Sequence, residues 1–310
     1  MSTDITNPDT AADRSAERAW TLIELRRWKE ALAEAQRALA HNPQHFSGLY
    51  NLSVAQRRSG DAAAAEQTAH ALIGYFPGSA SAFNILSRAL KDQRKHAEAI
   101  AASRESVRLS PNDADLWINL ADVLILQKLY AEGVEACEKA ISLNPNAAMA
   151  HNNRAVGLEE FNRNAEAEVA YRKAMELDPL NPLFHSNLGW LMNKQKNYKA
   201  ATRFFYSAVK LEPTNKEFQK NMDKALRKAF PIAHWLTVAH AALACLPFAL
   251  LFGLVGIDNL AVTLPLFVVA LVGVIVYKVF FGTKVESQLQ ERHLQRKLAE
   301  LVREEFVLRA

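Results

Sequence analysis

Asparagines stand at positions 51, 119, 153 and 187, separations that are all multiples of 34 residues. A side-chain amide offers both a donor and an acceptor, which matches the backbone of an extended peptide. Asn51, Asn119, Asn153 and Asn187 are therefore residues of a type that can hold a chain without reading its side chains. Trp190 follows Asn187 by three residues, which puts both on one face of a helix. A second group is basic. Arg57, Arg58, Arg88 and Lys91 carry the chemistry that receives an acidic segment. Both groups also admit a plainer role: asparagine as a packing residue, and the cations as a solvated face paired with Asp92 and Asp122.

No other chemistry is legible. A phosphate-binding glycine loop, a nucleophile elbow, paired histidine ligands and a Cys–His pair are all missing from any context that would use them. Cys137 and Cys245 have neither metal-site spacing nor a disulfide framework, in keeping with a reducing cytoplasm. The sequence thus predicts no enzyme, no metal and no cofactor. The net charge of +4, from 37 Lys and Arg against 33 Asp and Glu, needs no nucleic-acid partner, because much of the basic excess flanks the apolar segments near the C-terminus.

The elements that must position these residues are set by prolines. Pro43, Pro77, Pro111, Pro145, Pro179 and Pro213 recur every 34 residues without slippage. Proline cannot continue a helix and disfavours helix in the residue before it. Six units follow: 12–45, 46–79, 80–113, 114–147, 148–181 and 182–215. The fourth reads Trp117, Leu120, Ala121, Leu124, then Tyr130, Gly133, Cys137, Ala140, then Pro145. The sixth reads His185, Leu188, Gly189, Met192, then Tyr198, Ala201, Phe205, Ala208, then Pro213. This pattern resembles the tetratricopeptide repeat, in which large and small residues alternate so that two antiparallel helices pack closely. The resemblance implies an all-α fold, a right-handed solenoid of helical hairpins.

It also implies a concave groove lined by positions 2, 5, 6, 9, 12 and 13 of each repeat. The four asparagines fall at position 6, like the asparagine ladder by which some arrays hold peptides. Ile118, Met149, Val156, Leu183 and Trp190 fall at neighbouring groove positions, and an exposed aromatic in a groove serves as an anchor. A helix over 216–230 is also placed to cover Trp190. Arg57, Arg58, Arg88 and Lys91 take groove positions in the second and third units. The array departs from the carboxylate-clamp pattern of chaperone-binding members, whose Lys and Asn positions are here Ala16 and Trp20. Ser15 and Arg18 make the first unit a polar terminal cap. Arg154 occupies a usual leucine position, where an unpaired charge is not fully buried; an acidic partner and a loose local interface both remain open.

The flanking segments complete the organisation. Residues 1–11 read as a disordered N-terminus without a signal peptide, and 216–230 as a capping helix. The stretches 232–257 and 260–277 contain no Asp, Glu, Lys or Arg. As helices they would run about 39 Å and about 27 Å, against roughly 30 Å of hydrocarbon. They predict two transmembrane helices, 232–257 and 260–281, with basic flanks on both sides that keep both termini cytoplasmic. The expected localisation is a multi-pass protein of a bacterial cytoplasmic membrane. Residues 283–310 read as a cytoplasmic amphipathic helix with Leu289, Leu294, Leu298 and Leu301 on its stripe. It can pair with a copy of itself, lie on the membrane or dock on the repeats.

Together these readings predict a membrane-anchored adaptor that binds a protein or extended peptide in its groove. The expected partners are that peptide, the lipid bilayer and, in an oligomer, a second copy of the chain. The alternative is an accessory subunit of a membrane transport, secretion or envelope-assembly complex in which the hairpin is the working part.

Overall fold

The structure is a computed structural model and describes residues 8–230, 295–301 and 303. The described residues are all-α. They divide into two bodies, Met1–Pro179 and Leu180–Ala310, and each is considered by itself.

The first body contains five helical hairpins. They are α1 (Pro8–Glu24) with α2 (Trp28–His41), α3 (Phe46–Arg58) with α4 (Ala62–Tyr75), and α5 (Ala80–Asp92) with α6 (His96–Leu109). Next come α7 (Ala114–Leu126) with α8 (Tyr130–Leu143) and α9 (Ala148–Glu160) with α10 (Asn164–Leu177). Each second helix packs on the first helix of the following hairpin, and α1, α3, α5, α7 and α9 touch in succession along one side. That row of first helices carries the positions the sequence assigns to a groove.

Small residues make this stacking possible. One line of them runs through the first helices as Ala19, Ser53, Ser87, Ala121 and Ala155, each fully buried. A second runs through the following helices as Ala31, Ala65, Ala99, Gly133 and Ala167, also buried. The fit is tight enough that a Cβ on Gly133 would stand 2.7 Å from Ile125 Cγ1, and one on Gly157 2.5 Å from Val134 Cγ2. Larger residues fill the spaces between. Leu49, Leu72, Ile85, Leu86 and Leu90 form one core, and Leu116, Leu120, Leu124 and Cys137 another.

The prolines earn their period through their carbonyls as well as their rings. Trp117 Nε1 donates to Pro111 O at 2.8 Å, and His151 Nε2 donates to Pro145 O at 2.9 Å. Two residues past the proline, a capping side chain starts the next helix. His45 Nδ1 accepts from Gly48 N, Ser79 Oγ from Ala82 N and Asp113 Oδ1 from Asp115 N. Within each hairpin the turn passes through a left-handed residue: Arg26, Gly60, Arg94, Lys128 and Asn162, with φ between 57° and 93°. The next backbone N–H then reaches back to the carbonyl five residues earlier, as from Arg27 to Leu22 and from Lys95 to Leu90.

The second body holds α11 (Pro182–Lys194) and α12 (Tyr198–Leu211), again a hairpin with a left-handed corner at Lys196. Helix α13 (Lys216–Ala229) packs on α12 and buries Phe218, Ala225 and Leu226. Residues 295–301 are helical. Their Leu298 and Leu301 are buried with Leu226, beside Tyr206, Met222 and Phe230. Of the three roles open to the C-terminal segment, this described part docks on the last helices.

Two expectations change, and one open alternative closes. Residues 8–11, read as disordered, are the first turn of α1, which begins at Pro8; proline suits that position because the first helical N–H has no intrahelical acceptor. Of the two readings open for Arg154, the acidic partner is present: its Nε donates to Glu138 Oε1 at 3.3 Å. The membrane localisation with both termini cytoplasmic is withdrawn, because among the described residues no helix is long and apolar enough to cross a membrane. The segments 232–257 and 260–281 on which it rested lie outside the described residues.

Candidate functional site

Three of the four asparagines are buried within the helix packing. Asn51 is buried and donates through Nδ2 to Ala16 O at 2.8 Å, tying α3 to α1. Asn119 is buried and donates to Ser87 Oγ at 3.2 Å and to Ser103 Oγ at 2.9 Å. Those two hydroxyls lie 2.6 Å apart, so α5, α6 and α7 share one polar network inside the core. Asn153 is buried too and accepts from Asn152 Nδ2 at 3.2 Å. The expected ladder is corrected at these positions: with Asn51, Asn119 and Asn153 each 6% exposed or less, their amides face helices and not an open groove. Val156 is half-buried on α9. In the second body Asn187 is half-buried, and Trp190 is 38% exposed with its ring edge on Phe205 at 5.7 Å.

The basic residues separate into two kinds. Arg57 donates to Asp92 Oδ2 at 3.0 Å, and Lys91 pairs with Asp122. Each of these bonds runs from one first helix to the next and spends the charge inside the row. Arg58 and Arg88 have no carboxylate partner among the described residues. The Arg58 guanidinium stands 6.0 Å over the Trp28 ring. Burial, then the nearby Arg57 and Arg88, hold its pKa below the ordinary arginine value.

These side chains surround a pocket of about 380 Å³ on α1, α3 and α5. Arg26, Arg57, Arg58 and Arg88 supply its charge. Trp20, Trp28 and Tyr50 supply flat walls, with Val54 and Ile85 between them. Trp20 is 43% exposed and donates its indole N–H to Glu24 Oε1 at 3.0 Å. The sequence pattern pointed to Arg57, Arg58 and Arg88 but not to Arg26, Trp20, Trp28 or Tyr50, and its fourth cation, Lys91, lies outside the pocket lining. Trp20 and Tyr50 occupy groove positions 9 and 5, so their positions were a usable signal; Trp28 comes from the start of α2 and was not.

Trp20 and Tyr50 also wall a second cleft, of about 620 Å³, lined on its far side by Asp13, Glu17 and His45. His45 Nδ1 accepts from Gly48 N, so its Nε2–H donates to Asp13 Oδ1, at 2.9 Å. The ring centroids of Trp20 and Tyr50 are 6.4 Å apart, and Phe46 stacks on Tyr50 at 6.3 Å. An aromatic ridge therefore separates a basic cleft from an acidic one. Among the described residues no group of three or more His, Cys, Asp or Glu is arranged to hold a metal ion.

Comparison with known proteins agrees with this architecture. Two family models, both described as tetratricopeptide repeat, match the chain. One matches residues 17–81, 56–114 and 86–148, and the other 170–203; together these cover more than half of the sequence. No curated protein matches it. Among solved structures, a chain of the APC/C hetero-tetramer Cut9–Hcn1 is similar over 72% of this chain, with a TM-score of 0.64 at 14% identity. The match takes in only 44% of that larger chain. The pilF protein of Pseudomonas aeruginosa is similar over 70% of this chain and 99% of its own, with a TM-score of 0.57 at 19% identity. At these identities the likeness is one of fold.

Proposed function

Because the chain belongs to the tetratricopeptide repeat family, we propose that it is a binding scaffold that holds a protein or peptide on the face where α1, α3 and α5 lie side by side. The observation that carries this reading is the aromatic and arginine pocket on that row of first helices. Elsewhere along the row, Asn51 and Asn119 are committed to neighbouring helices. At this pocket Trp20 and Tyr50 remain available, rigid side chains with large contact area and little rotamer entropy to lose. Membership of a hetero-tetramer by the similar Cut9–Hcn1 chain is compatible with a protein partner. A lipid bilayer and a second copy of the chain, both named from the sequence, have no support among the described residues and do not enter this reading.

Site-specific crosslinking tests it. A photoreactive residue in place of Tyr50 is expected to give a discrete adduct in cells. The same residue in place of Arg37, exposed on α2, is expected to give none. Identical adducts from both positions, or none from position 50, would sink the proposal.

A further inference from the structure

We infer that the α1–α3–α5 pocket selects a peptide by a carboxylate, seated between Arg58 and Arg88 while an adjoining apolar side chain lies against Trp20 and Tyr50. This rests on the binding face proposed above and names the chemistry of its occupant.

The charge count favours an anion. Four arginines meet at the pocket, and the carboxylates beside them are Glu24 and Asp92, so two positive charges remain in excess. Asp92 is engaged by Arg57 and Glu24 by the Trp20 indole, which leaves Arg58 on α3 and Arg88 on α5 as available donors, with Arg26 at the α1–α2 corner beside them. Crowding of guanidinium groups is unfavourable in the empty pocket, and an entering carboxylate relieves it. Guanidinium groups also meet carboxylates through paired donors, the stronger class of hydrogen bond.

The surroundings narrow the occupant further. At about 380 Å³, lined by Trp20, Trp28, Tyr50, Val54 and Ile85, the pocket has room and apolar wall for a side chain as well as for an anion. Across the Trp20–Tyr50 ridge, Asp13 and Glu17 give the neighbouring cleft the opposite sign. A peptide carboxylate thus has one favourable cleft of the two, which fixes the direction in which a segment lies. The carboxylate can belong to a Glu or Asp side chain or to a chain terminus.

Selection from displayed random peptides with the full-length protein tests this. One library is fused at its C-terminus, so that only side chains supply carboxylates; the other ends in a free C-terminus. Enrichment of Asp and Glu in the first library assigns the pocket to side chains, and enrichment confined to the second assigns it to a terminus. Arg88→Gln and Arg58→Gln are each expected to weaken a selected peptide about tenfold. Arg108→Gln, which removes only the exposed Arg108–Glu105 pair, is expected to leave it unchanged. Circular dichroism melting of each variant checks that folding is intact. Ligands without acid enrichment, or acid enrichment that survives both arginine substitutions, overturn the carboxylate inference and leave the binding face standing. Selected ligands indifferent to Tyr50→Ala overturn the binding face itself.

Discussion

Cys137 is a thiol placed for packing and not for reaction. It is fully buried among Leu120, Ala121 and Leu124, and burial pushes its pKa up from 9.0 to about 12. The reactive form of cysteine is the thiolate. In a Cys245→Ser background, a maleimide at pH 8 is therefore expected to label Cys137 only after denaturant unfolds the chain; rapid labelling of the native protein would contradict its burial. The sign for stability follows. Below pH 9 the thiol is neutral whether the chain is folded or not. As pH rises from 9 towards 12 the unfolded chain ionises first, and this residue's contribution to stability is lost. The asparagines mark the limit of residue-level reading. Their period was visible at once, because it follows the prolines. Their direction was not, because an amide that suits a peptide backbone suits a helix backbone equally well, and Asn51 found Ala16 O. Arg57 and Lys91 repeat the lesson: only the spatial neighbour one repeat along, Asp92 or Asp122, decided whether each charge was spent.

At the scale of elements the hairpin corners store strain. Arg26, Arg94, Lys128, Asn162 and Lys196 all sit at positive φ, where a side chain costs roughly 1–2 kcal/mol in the left-handed region. Gly60 occupies the equivalent corner without that cost. Lys128→Gly is accordingly expected to leave stability unchanged or raise it by up to about 1 kcal/mol, since relief of strain exceeds the added entropy of the unfolded chain. Gly60→Ala is expected to lower it by about 1 kcal/mol. Chemical denaturation of the two single variants gives both signs, and a loss in Lys128→Gly would show that the lysine makes a compensating contact. These corners were illegible in the sequence because four of the six carry Lys or Arg, residues without turn preference. The helix starts were legible, since proline followed two residues later by Ser79, Asp113 or Asn181 is a start signal of known mechanism.

For the whole molecule, the small-residue lines explain why the fold was readable from the period alone: within the first body each hairpin meets its neighbour through the same positions, so the five copies carry one message. The site was less readable because it is where the copies differ. Coupling between copies is expected to run through the buried network of Asn119, Ser87 and Ser103. Asn119→Ala removes two hydrogen bonds and should cost about 1–3 kcal/mol. Hydrogen exchange should show lost protection in α5 to α8 together, with α1 and α2 little affected, because stability in such an array passes between adjacent units. Loss confined to α7 would refute the coupling. The unbroken 34-residue register of the prolines bears, finally, on heredity. Recombination that inserts or removes one period within the first five repeats rebuilds a hairpin with the same contact positions on both sides. Copy number is then free to change by whole units, whereas a unit gained or lost within the first three repeats would alter the set of arginines and aromatic rings at the pocket.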